Sequence, residues 1–99
     1  MVTLYRSVSI APGKTVSALT YAREMAAWVS QKTGVDVHVA VPIGGNPNRV
    51  GFSAQYENLG ALEAAQLKLA ADPKYMELAA KGADNFMAGT MHDEIWRTI

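Results

Sequence analysis

The sequence predicts an α+β domain in the order strand, helix, strand, strand, helix, strand. Two observations carry that prediction. Residues 35–56 form two alternating apolar-polar runs joined by Gly44-Gly45-Asn46-Pro47-Asn48, which reads as a hairpin. A segment of helical periodicity flanks that hairpin on each side, and a further alternating segment closes each end of the chain.

Each element follows from its own residues. Val2, Leu4, Val8 and Ile10 share one parity, interrupted by Arg6, while Thr3, Tyr5, Ser7 and Ser9 take the other. That is a strand with one apolar face, ended by Ala11-Pro12-Gly13-Lys14. Ala18, Tyr21, Ala22, Met25, Trp28 and Val29 then recur at helical spacing between about Thr15 and Thr33, with Ser17, Thr20, Glu24 and Gln31 opposite. Gly34 suits the left-handed position just past a helix end. In the hairpin, Val35, Val37, Val39, Val41 and Ile43 share one face, and so do Val50, Phe52, Ala54 and Tyr56. The loop length suggests that Val41 pairs with Phe52, Val39 with Ala54 and Val37 with Tyr56, which sets His38 opposite Gln55. Asn58 caps a second helix carrying Leu59, Leu62, Gln66 and Leu69. Asp72-Pro73 restarts it, aspartate as cap and proline as first helical residue. Tyr75, Ala79, Gly82 and Phe86 continue its stripe. A glycine within a helix costs about 1 kcal/mol relative to alanine, and a close helix–sheet contact would explain Gly82. Gly89 ends the segment, and residues 90–98 form the last strand.

Composition bounds the function. A chain of 99 residues is expected to be one domain, 1–99. Its hydrophobic share is 49% and its charged share 18%, below the usual quarter. Such a surface is most simply hidden by a second copy, so a homodimer is expected. Nine basic residues balance nine acidic ones, which leaves no electrostatic footprint for nucleic acid or an anionic membrane. The absence of cysteine removes disulfides, thiolate zinc sites and cysteine nucleophiles. No basic start followed by an apolar run opens the chain, and no apolar stretch nears the ~20 residues that span a bilayer. A cytoplasmic protein without a membrane partner is the expectation.

The element order is the ferredoxin-like plan, one antiparallel sheet with both helices on one face. The valine-rich parity should meet those helices. The opposite face holds Tyr5, Ser7, His38, Ala40, Ser53 and Gln55. It is too mixed for a solvated face and too polar for an ordinary core. Pairing with the same face of a second copy would account for that character.

Four strings carry a resemblance. They are Ala11-Pro12-Gly13-Lys14 after the first strand, Asn58-Leu59-Gly60-Ala61-Leu62 opening the second helix, Asp72-Pro73-Lys74-Tyr75 restarting it, and the closing Asp93-Glu94-Ile95-Trp96-Arg97. Over nearly its full length the chain resembles the dimeric α+β barrel superfamily, which includes antibiotic-biosynthesis monooxygenases and NIPSNAP-like proteins. The resemblance implies two sheets packed face to face across a dimer, with any ligand site between the sheet and helices of each subunit. Haem-degrading relatives carry an asparagine on the first strand and a histidine on the second helix. Here Arg6 and Ala79 fall near those positions, which argues against haem, and no cofactor is expected.

Candidate site residues divide by face. Arg6 is the one charge on the apolar parity of the first strand, and a buried arginine needs a partner. The last strand lies beside the first in this plan, so Asp93 can reach it, and Tyr56 shares the face. Arg6, Tyr56 and Asp93 could hold a carboxylate or phenolate at the mouth of a helix–sheet pocket; alternatively Arg6 and Asp93 form a structural ion pair at the sheet edge. His38 and His92 lie on the mixed face with Tyr5, Ser7 and Gln55, where a hydrogen-bonded interface role outweighs metal binding, because a carboxylate such as Glu94 would also be needed. Trp28 and Trp96 read as packing residues and the methionines as gap fillers. The glycine-rich loop opens no helix and lacks the phosphate-binding context, leaving it a hairpin tip and a candidate pocket rim. Three functions fit: a module that binds a small organic ligand between sheet and helices, a cofactor-independent monooxygenase acting on an aromatic substrate, and a non-catalytic structural or stress-related protein. An enclosed cavity of ~300 Å³ or more with convergent polar groups favours the first two.

Overall fold

A computed structural model describes residues 1–99. The elements are β1 (Val2–Ser9), α1 (Thr15–Thr33), β2 (His38–Ala40), β3 (Arg49–Tyr56), α2 (Leu59–Ala70), α3 (Pro73–Gly82) and β4 (His92–Arg97), with a 3-10 turn at Ala83–Asn85. The sheet runs β2-β3-β1-β4, every neighbouring pair antiparallel. Both helical layers cover one face, the α+β ferredoxin-like arrangement.

Local chemistry sets the helix ends. Gly34 closes α1 in the left-handed conformation, at φ 74°. The Asn58 side chain accepts from the Ala61 N–H at 2.8 Å and starts α2. The Asp72 carboxylate accepts from the Lys74 N–H at 2.9 Å and starts α3, with Pro73 in its first turn. Asp72 also meets Lys32 Nζ at 3.0 Å, tying the start of α3 to the end of α1.

The core lies between α1 and the two central strands. Val8, Ile10, Ala18, Ala22 and Val50 form it, with Leu19, Val39, Phe52 and Phe86 packed around them. Alanines at 18, 22 and 26 are the buried line of α1, so small side chains bring that helix close to the sheet. Ala26 completes the line, while Trp28 stacks on Tyr75 of α3, ring centroids 6.2 Å apart.

Three expectations need correction. The hairpin register is shifted by two residues: His38 pairs with Ser53, Val39 with Phe52 and Ala40 with Gly51. A shift of two keeps every side chain on its face, so the apolar pattern cannot distinguish the two registers. The strand also stops at Ala40, before Pro42, which has no N–H for a ladder; Val41 and Ile43 are exposed rather than inward. Thirdly, Gly82 makes room for a helix rather than for the sheet. A Cβ at this position would overlap the Tyr21 ring of α1.

The chain end is joined to β1. Ile10 bridges to Phe86, and the Met87 N–H donates to Ser9 O at 2.9 Å. Thr90 Oγ1 accepts from the Ser9 N–H and donates to Met87 O, which turns the chain into β4.

Candidate functional site

The parity of β1 decides what each face offers. On the helix side, Val39, Phe52, Arg6 and Asp93 lie in one row across the four strands. On the open side, His38, Ser53, Tyr5 and Glu94 form the adjacent row.

Between the sheet and the helices is a cavity of about 630 Å³. That is well within the range of small-molecule sites, ~300–1,000 Å³. Twenty of its 25 lining residues are hydrophobic, so it is an apolar site with a few polar groups. Leu4, Val8, Phe52 and Ala54 supply the sheet wall, Met25 and Val29 the α1 wall, and Leu69, Tyr75 and Ala79 the α2–α3 wall. Met76, Met87 and Met91 also line it and are exposed. Four of the five methionines therefore border this space.

Arg6 is the charged group in the lining. Its Nε and Nη2 donate to the two carboxylate oxygens of Asp93 at 2.7 and 2.8 Å. That bond to Asp93 raises the Arg6 pKa against the opposing effect of burial, and Tyr75 adds to the stabilisation. Asp93 in turn is held below the ordinary aspartate range, first by the same hydrogen bonds. Burial pushes the Tyr56 hydroxyl upward despite the nearby Arg6 charge. Tyr21 is raised by burial too, and its hydroxyl donates to Leu78 O at 3.0 Å.

Of the residues expected at this site, Arg6 and Tyr56 line the cavity, and Asp93 stands beside Arg6 outside the lining. Tyr75 and Tyr21 also belong to it; both stood on the apolar stripes of their helices, where their hydroxyls were a readable sign of a polar point. The loop Gly44-Gly45-Asn46-Pro47-Asn48 lies away from the lining and forms no rim. Its conformation is local: Asn46 Oδ1 accepts from the Asn48 N–H, and Asn46 O accepts from Arg49 Nε.

The open face carries the other candidates. Tyr5, His38, Gln55 and His92 are exposed and Ser7 is half-buried. His38 faces Ser53, and Gln55 instead lies beside Thr3. His92 Nε2 lies 3.1 Å from Glu94 Oε2, and the Trp96 indole N–H donates to Glu94 Oε1 at 2.9 Å. The indole first, and then the imidazole, hold the Glu94 carboxyl below its usual range. Trp96 is 60% exposed, so within one chain it is not a packing residue. No three His, Cys, Asp or Glu side chains converge as a metal site. No helix is long and apolar enough to cross a membrane.

No family model and no curated protein matches the chain. Solved structures do. It is similar to an uncharacterised NIPSNAP-domain protein from Burkholderia xenovorans at a TM-score of 0.85 and 18% identity, covering 100% of this chain and 95% of that one. A NIPSNAP family protein from Agrobacterium tumefaciens superposes at 0.82 with 18% identity, over 99% and 92% of the two chains. A candidate antibiotic biosynthesis monooxygenase from Nitrosomonas europaea follows at 0.75 and 16%, over 100% and 99%. The chain has the α+β ferredoxin-like fold of these proteins.

Proposed function

On the premise of that shared fold, we propose that the protein binds a small organic molecule between its sheet and helices. The observation that supports this reading is the apolar cavity of about 630 Å³, with Arg6, Tyr56, Tyr75 and Gln66 among its polar points. A filled structural core would leave no apolar space of that size between sheet and helices.

Binding is favoured over catalysis by the lining itself. A monooxygenase that lets its substrate reduce oxygen needs a general base at the substrate. The lining contains no histidine, lysine, aspartate or glutamate. Asp93 stands beside Arg6, but both of its oxygens accept from Arg6 and its pKa is lowered, so it is a poor proton acceptor.

Saturable fluorescence of Nile red, a neutral apolar dye, tests the reading. Micromolar binding at one site per chain is expected. Ala79→Trp fills the α3 wall and should abolish it while leaving the circular dichroism spectrum intact. Undiminished binding by that variant would place the dye elsewhere and remove the cavity as the site.

We also propose that two chains associate through their open sheet faces. Only 12 of 99 residues are buried in the single chain, and Tyr5 and Trp96 are more than half exposed on a face that carries no helix.

A further inference from the structure

The cavity presents one cation, and that cation is already neutralised. Asp93 takes the Nε and Nη2 edge of Arg6 in a two-point contact. The remaining N–H groups, on Nη1 and the far side of Nη2, are the donors left for anything in the cavity that Arg6 lines. We propose that the ligand is an apolar molecule with a single uncharged acceptor, such as a ketone, ester or amide, and that Asp93 sets this preference by excluding carboxylates. This rests on the cavity being a ligand site and names the chemistry that it accepts.

The argument is electrostatic. A ligand carboxylate ~4 Å from the guanidinium would stand ~6 Å from the Asp93 carboxylate, and repulsion at that distance cancels about two-thirds of the attraction. What remains must offset stripping the anion of water in a lining of 20 hydrophobic residues. A carbonyl oxygen loses far less on leaving water and still accepts from the free N–H groups. Cations fare no better: Arg6 stands between them and Asp93, and no acidic side chain lines the cavity. Asp93 therefore acts through Arg6. It is a positioning residue that selects charge without touching the ligand, and this role goes beyond that of a structural ion pair.

Few other polar groups compete with Arg6 for the ligand. The Tyr21 hydroxyl is committed to Leu78 O, which removes one donor from the cavity. Tyr75 lies close enough to Arg6 to stabilise its charge, which adds a polar group beside Arg6, and Gln66 contributes an uncharged amide to the lining. The methionines at 76, 87 and 91 give the rest of the wall flexible, apolar side chains.

The test is displacement of Nile red at pH 7.5 by two chains of matched length, 2-undecanone and decanoate. Wild type should bind the ketone more tightly. Asp93→Asn keeps the size of the side chain and removes its charge; it should strengthen decanoate by roughly tenfold and leave the ketone within a few fold. Asp93→Glu keeps the charge and should retain the wild-type order, which guards against a folding defect in the asparagine variant. A wild type that prefers decanoate, or an unchanged ratio of the two ligands in Asp93→Asn, overturns the proposal while leaving the cavity reading intact. Absence of saturable dye binding to the folded wild type overturns both.

Discussion

Arg6 on β1 and Asp93 on β4 face each other in register and form a two-point ion pair, at 2.7 and 2.8 Å, on the helix side of the sheet. Their side chains are 29% and 38% exposed, so the pair sits between the surface and buried regimes. It ties β1 to the edge strand β4 and holds Arg6 at the cavity lining. Both properties come from one charged residue on an otherwise apolar parity.

The pair should behave as a coupled unit. Arg6→Met or Asp93→Leu alone should destabilise by about 1–2 kcal/mol, between the values for exposed and buried pairs, because each leaves a half-buried charge without its partner. The double variant should be milder than the sum of the two. Urea unfolding of the four proteins measures the coupling, and simple additivity would show that the two charges do not stabilise each other.

The same pair fixes an acid dependence. The Asp93 pKa is depressed below its ordinary value of 3.8, so the folded state releases this proton more readily than the unfolded chain. Its contribution is complete above the unfolded value and is lost as pH falls through the folded one. The difference in stability between wild type and Asp93→Asn should be constant near neutrality and shrink in the acid limb, below about pH 4. A thermal melting series across pH 2–7 (roughly the span in which carboxylates titrate) tests this; a gap that widens in acid would contradict the sign.

Gly82 gives a prediction against the usual trend. Alanine normally stabilises a helix relative to glycine by about 1 kcal/mol. Here the added Cβ would meet the Tyr21 ring, which is held by its hydrogen bond to Leu78 O and by Phe86 at 5.8 Å. Gly82→Ala should therefore destabilise, by about 1–3 kcal/mol as overpacking does. Tyr21→Leu should relieve much of the effect. An increase in melting temperature for Gly82→Ala alone would mean that the ring moves freely.

Periodicity made the fold legible wherever a residue's environment is local. The caps Asn58 and Asp72 and the stop at Gly34 follow from short-range rules, whereas the facing of Arg6 toward Asp93, 87 residues away, also needed the strand order of the ferredoxin-like plan. The β2–β3 register did not, because a two-residue shift leaves the alternation of Val37 and Val39 unchanged. The end of β2 was written in Pro42, but the valine run concealed it. The cavity was only partly legible: Arg6 and Tyr56 could be placed on one face, whereas the approach of Tyr75 and the methionines depends on how α3 and the segment after it fold back. Met25 and Tyr75 sat in helical stripes that equally describe an ordinary core.

The open face supports one last prediction. Its rows join His38, Ser53, Tyr5 and Glu94, and Gln55, Thr3 and Trp96, so aromatic groups stand among polar ones on this face. Tyr5 and Trp96 each present an apolar body with one polar atom, and the Trp96 N–H is already satisfied by Glu94. Such groups can be covered with little polar cost. Sedimentation at micromolar concentration should give a species of about twice 10.6 kDa. Trp96→Glu would bring a second carboxylate beside Glu94 into that contact, and Tyr5→Glu one directly across from it. Either change should weaken association by roughly a hundredfold while leaving the chain folded, because an unpaired charge would be drawn out of water. His38→Glu, farther along the same row, should act in the same direction. A wild-type chain that remains monomeric at these concentrations would show that the face is solvated as it stands, and the mixed character of its residues would then need no partner.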